Sequence, residues 1–144
     1  MATPMTEQQW RAFVSEGTRT GKLATTLASG QPHVVPIWFV LDENTGDVVF
    51  TCDGSSLKAK TLRRDPRVAI CVDDERPPYS FVELRGTTTL SEDVDELLPW
   101  ATRLGARYMG ADQAEAFGRR NAVAGELLVR LSPTKVVARA RIAD

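Results

Sequence analysis

The sequence predicts a mainly β fold of the α+β kind, an antiparallel barrel or partly closed barrel with flanking helices. Three observations carry this. Six or seven segments read as strands, and short loops join most of them. Strands that follow one another so closely pair antiparallel. Only three or four segments show helical spacing, and closing the sheet removes edges that would otherwise stay unpaired.

The elements follow in order. Thr6-Glu7-Gln8-Gln9 matches a capping box, with Thr6 as N-cap and Gln9 reaching back. Trp10, Phe13 and Val14 then recur at helical spacing, and Gly17 and Gly21 end this short helix. Lys22 to Leu27 reads as a strand and Ala28-Ser29-Gly30-Gln31 as a turn. His33 to Leu41 is a second strand, so apolar that both its faces need cover. Asp42 to Gly46 forms a hairpin loop, and Asp47 to Cys52 returns as the third strand. Ser55 or Ser56 caps a helix over Leu57 to Arg64, which Asp65-Pro66 stops. Val68 to Val72 is a fourth strand, and Asp73 to Pro78 a charged loop. Ser80 to Leu90 is a long fifth strand with Gly86 inside it, a bulge or close-approach point.

Glu92 to Met109 is the longest helix, with Leu97, Leu98, Ala101, Leu104 and Tyr108 at three- and four-residue steps. Asp112 and Glu115 cap a short helix running to about Arg120. Glu126 to Leu131 is a sixth strand, Ser132-Pro133 turns the chain, and Lys135 to Ile142 closes the sequence as a strand.

Length and composition bound the function. The 144 residues fit one domain spanning 1–144, large enough to bury a core unaided. A formal net charge of -1 argues against a general nucleic-acid binder, though not against a local basic patch. Cys52 and Cys71 sit inside apolar runs and read as two buried core thiols. With one histidine and no C-x-x-C pair, no zinc set can be assembled, so no metal site is expected. No window approaches the length of a membrane span, and Met1 to Met5 carries no signal-like apolar stretch. The chain is therefore read as cytosolic and reduced.

Four features could carry chemistry. Five of the 18 Lys and Arg fall within Lys58 to Arg67, behind Ser55 and Ser56. Free amides at a helix N-terminus plus ammonium groups make a phosphate site, and the plain alternative is a solvated cationic helix. Pro36 cannot donate to a ladder, so it marks an edge or bulge beside Ile37 and Trp38. That arrangement offers backbone amides and an aromatic wall to a flat ligand, or else is an ordinary core tryptophan. Arg76-Pro77-Pro78-Tyr79-Ser80 is a rigid loop presenting an aromatic ring, or a simple turn. His33 reads as structural. No Ser-His-Asp set, paired carboxylates, G-x-G-x-x-G or Walker motif is present. A chain without its own acid, base or nucleophile suits chemistry that belongs to a cofactor.

Three runs carry a resemblance: Lys22-Leu23-Ala24-Thr25-Thr26, Gly30-Gln31-Pro32-His33-Val34-Val35-Pro36-Ile37-Trp38-Phe39, and Lys58-Ala59-Lys60-Thr61-Leu62-Arg63-Arg64-Asp65-Pro66-Arg67-Val68. With Gly86-Thr87, Ala106 to Gly110 and Pro133 to Val137, their order resembles the pyridoxamine-phosphate-oxidase-like split-barrel superfamily. The branch it resembles is that of small deazaflavin (coenzyme F420)-dependent oxidoreductases, on the FMN-binding split-barrel fold. The resemblance implies a homodimer with two cofactor sites at its interface. It implies that Ser56, Lys58, Lys60 and Thr61 hold the phosphate end of the cofactor. Thr61 departs from the family, where Asn is common. Val35, Pro36, Ile37 and Trp38 would line the deazaflavin ring with Thr51 beneath, and Tyr79 of the other subunit would close the pocket. The activity implied is hydride transfer from reduced coenzyme F420 to an enone, quinone or conjugated pigment. The alternatives are an FMN-dependent oxidase or reductase on the same fold, and a non-catalytic cofactor carrier.

Overall fold

A computed structural model describes residues 1–144. Thr6 forms the expected capping box: its Oγ1 accepts from the Gln9 amide at 3.2 Å, and Gln9 Oε1 accepts from the Thr6 amide at 2.8 Å. Helix α1 (Glu7–Ser15) thereby starts with its orphan donors satisfied and buries Trp10 and Val14. Before it, β1 (Thr3–Pro4) pairs with the last strand.

The remaining strands are β2 (Gly21–Thr26), β3 (Pro32–Ile37), β4 (Val40–Leu41), β5 (Val48–Asp53), β6 (Arg67–Asp74), β7 (Ser80–Ser91) and β8 (Glu126–Ala140). They form one antiparallel sheet in the order β3-β2-β6-β7-β8-β5-β4. β3 and β4 lie at opposite ends of that order, yet only Trp38 and Phe39 separate them in the chain. The three Cα steps from Ile37 to Val40 span about 11 Å at most, so the sheet must curl until its ends nearly meet. The fold is the curled antiparallel half-barrel with flanking helices that the sequence predicts.

The barrel interior takes the inward-facing alternate residues, among them Leu23, Ile70, Leu84, Phe50 and Val129, all at or near zero exposure. A smaller cluster of Val40, Val49, Leu97, Leu104 and Leu128 lies under the helical hairpin of α3 (Val94–Met109) and α4 (Ala114–Asn121). A single 3-10 turn, Ala111–Gln113, joins these two helices, and no side chain caps α4. No helix is long and apolar enough to cross a membrane.

Besides the cap of α4, which neither Asp112 nor Glu115 supplies, four expectations need correction. The second strand is not continuous over His33 to Leu41; it breaks at Trp38 and Phe39, where the chain passes from one end of the sheet to the other. Nor are both its faces covered, for Val34 is 63% exposed. Ser132-Pro133 is not a turn. β8 runs straight through, and the register slips so that Arg85 pairs with Lys135 and Gly86 with Pro133. Thr134 is the extra residue of this bulge. Gly86 permits it, since a Cβ there would meet the Ser132 carbonyl oxygen at 2.1 Å. Finally, Cys52 is buried but Cys71 only half so, because it alternates to the outer face of β6.

Candidate functional site

A cleft of about 230 Å³ opens where four parts of the fold meet. Pro36, Ile37 and Trp38 supply its first wall from the end of β3, and Thr51 its floor from β5. Helix α2 (Leu57–Arg64) contributes Lys58. The α3–α4 hairpin closes the far side with Leu104, Gly105, Phe117 and Asn121.

Trp38 is 41% exposed, although it is backed by aromatic rings. Tyr108 stacks on it at 4.9 Å between centroids and 6° between planes, and Phe117 meets it tilted at 6.1 Å. An indole held flat with surface still exposed is a platform for another planar group.

Lys58 enters from the first turn of α2. Ser56 is the N-cap: its Oγ accepts from the Ala59 amide at 3.1 Å and donates to the Asp53 carbonyl at 2.6 Å. The helix N-terminus favours an anion there. The five cations of this stretch divide sharply. Arg63 donates to the Gly54 carbonyl and faces Glu92, Arg64 binds the Thr26 carbonyl, and Arg67 is paired twice with Asp65. That pairing holds the Asp65 carboxyl down at about 2. Lys58 and Lys60 make no side-chain hydrogen bond or ion pair in the structure.

The fold therefore brings together Pro36, Ile37, Trp38, Thr51 and Lys58. Val35 instead packs against the barrel core, on the same inward face of β3 as Ile37, and does not reach the cleft. Ser56 spends its hydroxyl on the cap. Lys60 is exposed on α2, and Thr61, 1% exposed, faces the core. Tyr79 stands outside this cleft, 43% exposed in the loop before β7, with a left-handed backbone at φ 63°. Its amide donates to Arg76 and its carbonyl accepts from Ile142, so the ring is presented on a tied loop. Sequence reasoning missed Leu104, Gly105, Phe117 and Asn121. The interior glycine of α3 and the Phe117–Asn121 pair, one helical turn apart, were the available signals.

Larger hollows lie elsewhere. One of about 540 Å³ spreads over the outer sheet face beside Arg67 and Arg85. Both arginines are spent on Asp65 and Glu83, and no aromatic ring lines it. The small cleft is where a half-open indole, an unpaired ammonium and a carboxamide converge. It contains no carboxylate, histidine or thiol. The nearby Cys52 thiol is pushed up by burial, against the pull of Lys58. The cleft can thus bind and orient a flat anionic molecule, but it holds little acid–base chemistry of its own.

The sequence profile of the pyridoxamine 5'-phosphate oxidase family matches residues 6–138. The chain belongs to this family. Over 73 residues it is 37% identical to a 5a,11a-dehydrotetracycline/5a,11a-dehydrooxytetracycline reductase of Streptomyces rimosus, covering 49% of this chain and 50% of that protein. The match spans about half the length of that curated relative. Among solved structures, a conserved hypothetical protein of Mycobacterium tuberculosis superposes with a TM-score of 0.82 at 27% identity, over 93% of this chain and 84% of that one. An F420 reductase superposes with a TM-score of 0.67 at 26% identity, over 87% and 94% of the two chains.

Proposed function

We propose that the chain is a reductase that holds reduced coenzyme F420 in the Trp38–Lys58 cleft and acts on an electron-poor small molecule. The observation that carries this is the meeting of the half-open indole of Trp38 with the unpaired ammonium of Lys58 at a helix N-terminus. A planar ring and an anionic tail are the two parts that this pair fits. Likeness to an F420 reductase over most of both chains, and to a dehydrotetracycline reductase over half, supports the same reading.

When bound, reduced F420 supplies a hydride from its C5, and an enone, quinone or conjugated pigment can accept it. The chain's own residues bind and orient. Trp38 fixes the ring plane, Thr51 and Ile37 limit its depth, and Lys58 with the first amides of α2 takes the phosphate. Lys60, two residues on and exposed outside the cleft, would meet only an acidic tail that runs out over the surface of α2. The aromatic walls keep water from the reacting face.

The cleft is smaller than the roughly 300–1,000 Å³ usual for sites that enclose a ligand of drug size. A second copy of the chain completes it in this reading, with Tyr79 of the partner subunit closing over the ligand. The test is titration of purified protein with F420 and with FMN, followed by ligand fluorescence. Saturable micromolar binding of F420 is expected. Micromolar binding of FMN with none of F420 would overturn the reading. Tight F420 binding without oxidation of the reduced cofactor by any of a quinone and enone panel would make the chain a carrier.

A further inference from the structure

Tyr108 does not line the cleft, yet it governs the residue that does. Where the chain leaves β3 for β4, Phe39 loses its place in the sheet ladder while staying fully buried. A buried backbone amide or carbonyl left unpaired is costly, so something must replace those bonds. The last turn of α3 does so. The Tyr108 hydroxyl accepts from the Phe39 amide at 3.1 Å, and Arg107 Nη1 donates to the Phe39 carbonyl at 2.7 Å. The Tyr108 hydroxyl proton has two carbonyls in reach, Arg19 at 2.8 Å and Phe39 at 3.1 Å, and the shorter contact is to Arg19. Arg107 also donates to the Gly17 and Val14 carbonyls, tying the same turn to the end of α1. The ring pinned in this way is the one that stacks on Trp38, 6° from parallel.

We propose that Tyr108 is a positioning residue for ligand binding: it sets the plane of Trp38 by stacking on one indole face, while Phe117 meets the ring only at a tilt, so that exposed indole surface is left for a planar ring. This rests on the cofactor reading above. Two parts of Tyr108 do separate work. The hydroxyl holds the crossing, and the ring face holds the indole.

The test separates these parts. Tyr108→Phe keeps the ring and loses the hydroxyl; Tyr108→Leu loses both. Tyr108→Met, whose flexible thioether refills the space, replaces the leucine variant if that one does not fold. Both kinds of variant lose the hydroxyl bonds and should melt lower. F420 affinity should fall about fivefold in the leucine or methionine variant and less than about twofold in the phenylalanine variant. In unliganded protein, fluorine NMR of the 5-fluorotryptophan-labelled chain should show the Trp38 signal, assigned by Trp38→Phe, broadened or split only without the ring. Affinity that falls alike in both kinds of variant, in step with melting temperature, would overturn the proposal. So would a single sharp Trp38 signal without the aromatic ring. If the wild-type chain binds neither F420 nor FMN, the cofactor reading fails, and the Trp38 signal alone decides the positioning role.

Discussion

Lys58 and Arg67 carry the same charge at the two ends of one basic stretch, and the structure gives them different work. Lys58 is unpaired in the first turn of α2 and lines the cleft. Arg67 lies past the helix, 79% exposed at its side chain, and is already bound to Asp65. A hydrogen bond to a charged group contributes about 1.5–3 kcal/mol. Lys58→Ala should therefore raise the F420 dissociation constant roughly ten- to a hundredfold. Arg67→Ala should change it about threefold or less, since a salt-screened surface cation is lost and no contact. Affinities at fixed low salt, with circular dichroism to confirm folding, check the contrast. Equal and small effects would return α2 to the status of a solvated cationic face. The charge cluster was legible in the sequence, but its division was only half so. The Arg67–Asp65 pair is local and readable from spacing. The bonds of Arg64 to the Thr26 carbonyl and Arg63 to Glu92 exist only because the sheet brings distant segments together.

Individual elements were most legible where local chemistry decides them. The Thr6 capping box was read from four residues and holds, and of the two serines offered as cap of α2 the structure uses Ser56. The irregularity at Gly86 was read from that glycine and holds, but its extra residue Thr134 was not, because Pro133 signals a turn unless one knows that Gly86 lies opposite. The α3–α4 hairpin was legible as two helices but not as a wall of the site. Its packing depends on two glycines. A Cβ on Gly105 would meet Phe117 Cβ at 2.6 Å, and one on Gly118 would meet Thr102 Oγ1 at 2.1 Å. Helix propensity alone predicts that Gly118→Ala stabilises α4 by about 1 kcal/mol. The steric conflict costs about 1–3 kcal/mol and should win, because Thr102 is held by its own bond to the Leu98 carbonyl at 2.8 Å. The variant should lose about 1 kcal/mol, a fall in Tm of roughly 2–4 °C for a chain of this size. Calorimetry decides the sign, and a rise in Tm would show that the helices do not need this close approach. Ligand affinity should weaken with it, since Phe117 and Asn121 ride on the displaced helix.

At the scale of the whole molecule, the curl of the sheet explains both what the sequence showed and what it hid. Antiparallel pairing followed from the short connections. That β3 and β4 sit at opposite ends of one sheet could not be read from two adjoining apolar runs, which looked like a single strand. The surplus of apolar residues in that run was visible, and the folded chain leaves it partly uncovered. Val34 is 63% exposed and Trp38 41%, with Pro36 exposed between them, all along one end of the sheet. An exposed apolar edge strand invites pairing with another chain unless something covers it. The cleft, which Pro36 and Trp38 of this run also line, is the one that the proposed second copy would complete. A symmetric pairing of two copies answers both needs, and two-fold pairs are the commonest oligomers. Sedimentation at micromolar concentration should therefore give twice the 15.8 kDa of one chain. Val34→Lys places a charge at the centre of that apolar edge without touching the cleft, where Val34 is not a lining residue. It should shift the protein toward monomer and weaken F420 binding together. Tyr79→Ala should weaken binding while leaving the dimer intact, because its ring is proposed to cover the ligand. A wild-type monomer that binds F420 with full affinity would remove the second copy from the site. A Val34→Lys monomer with unchanged affinity would do the same.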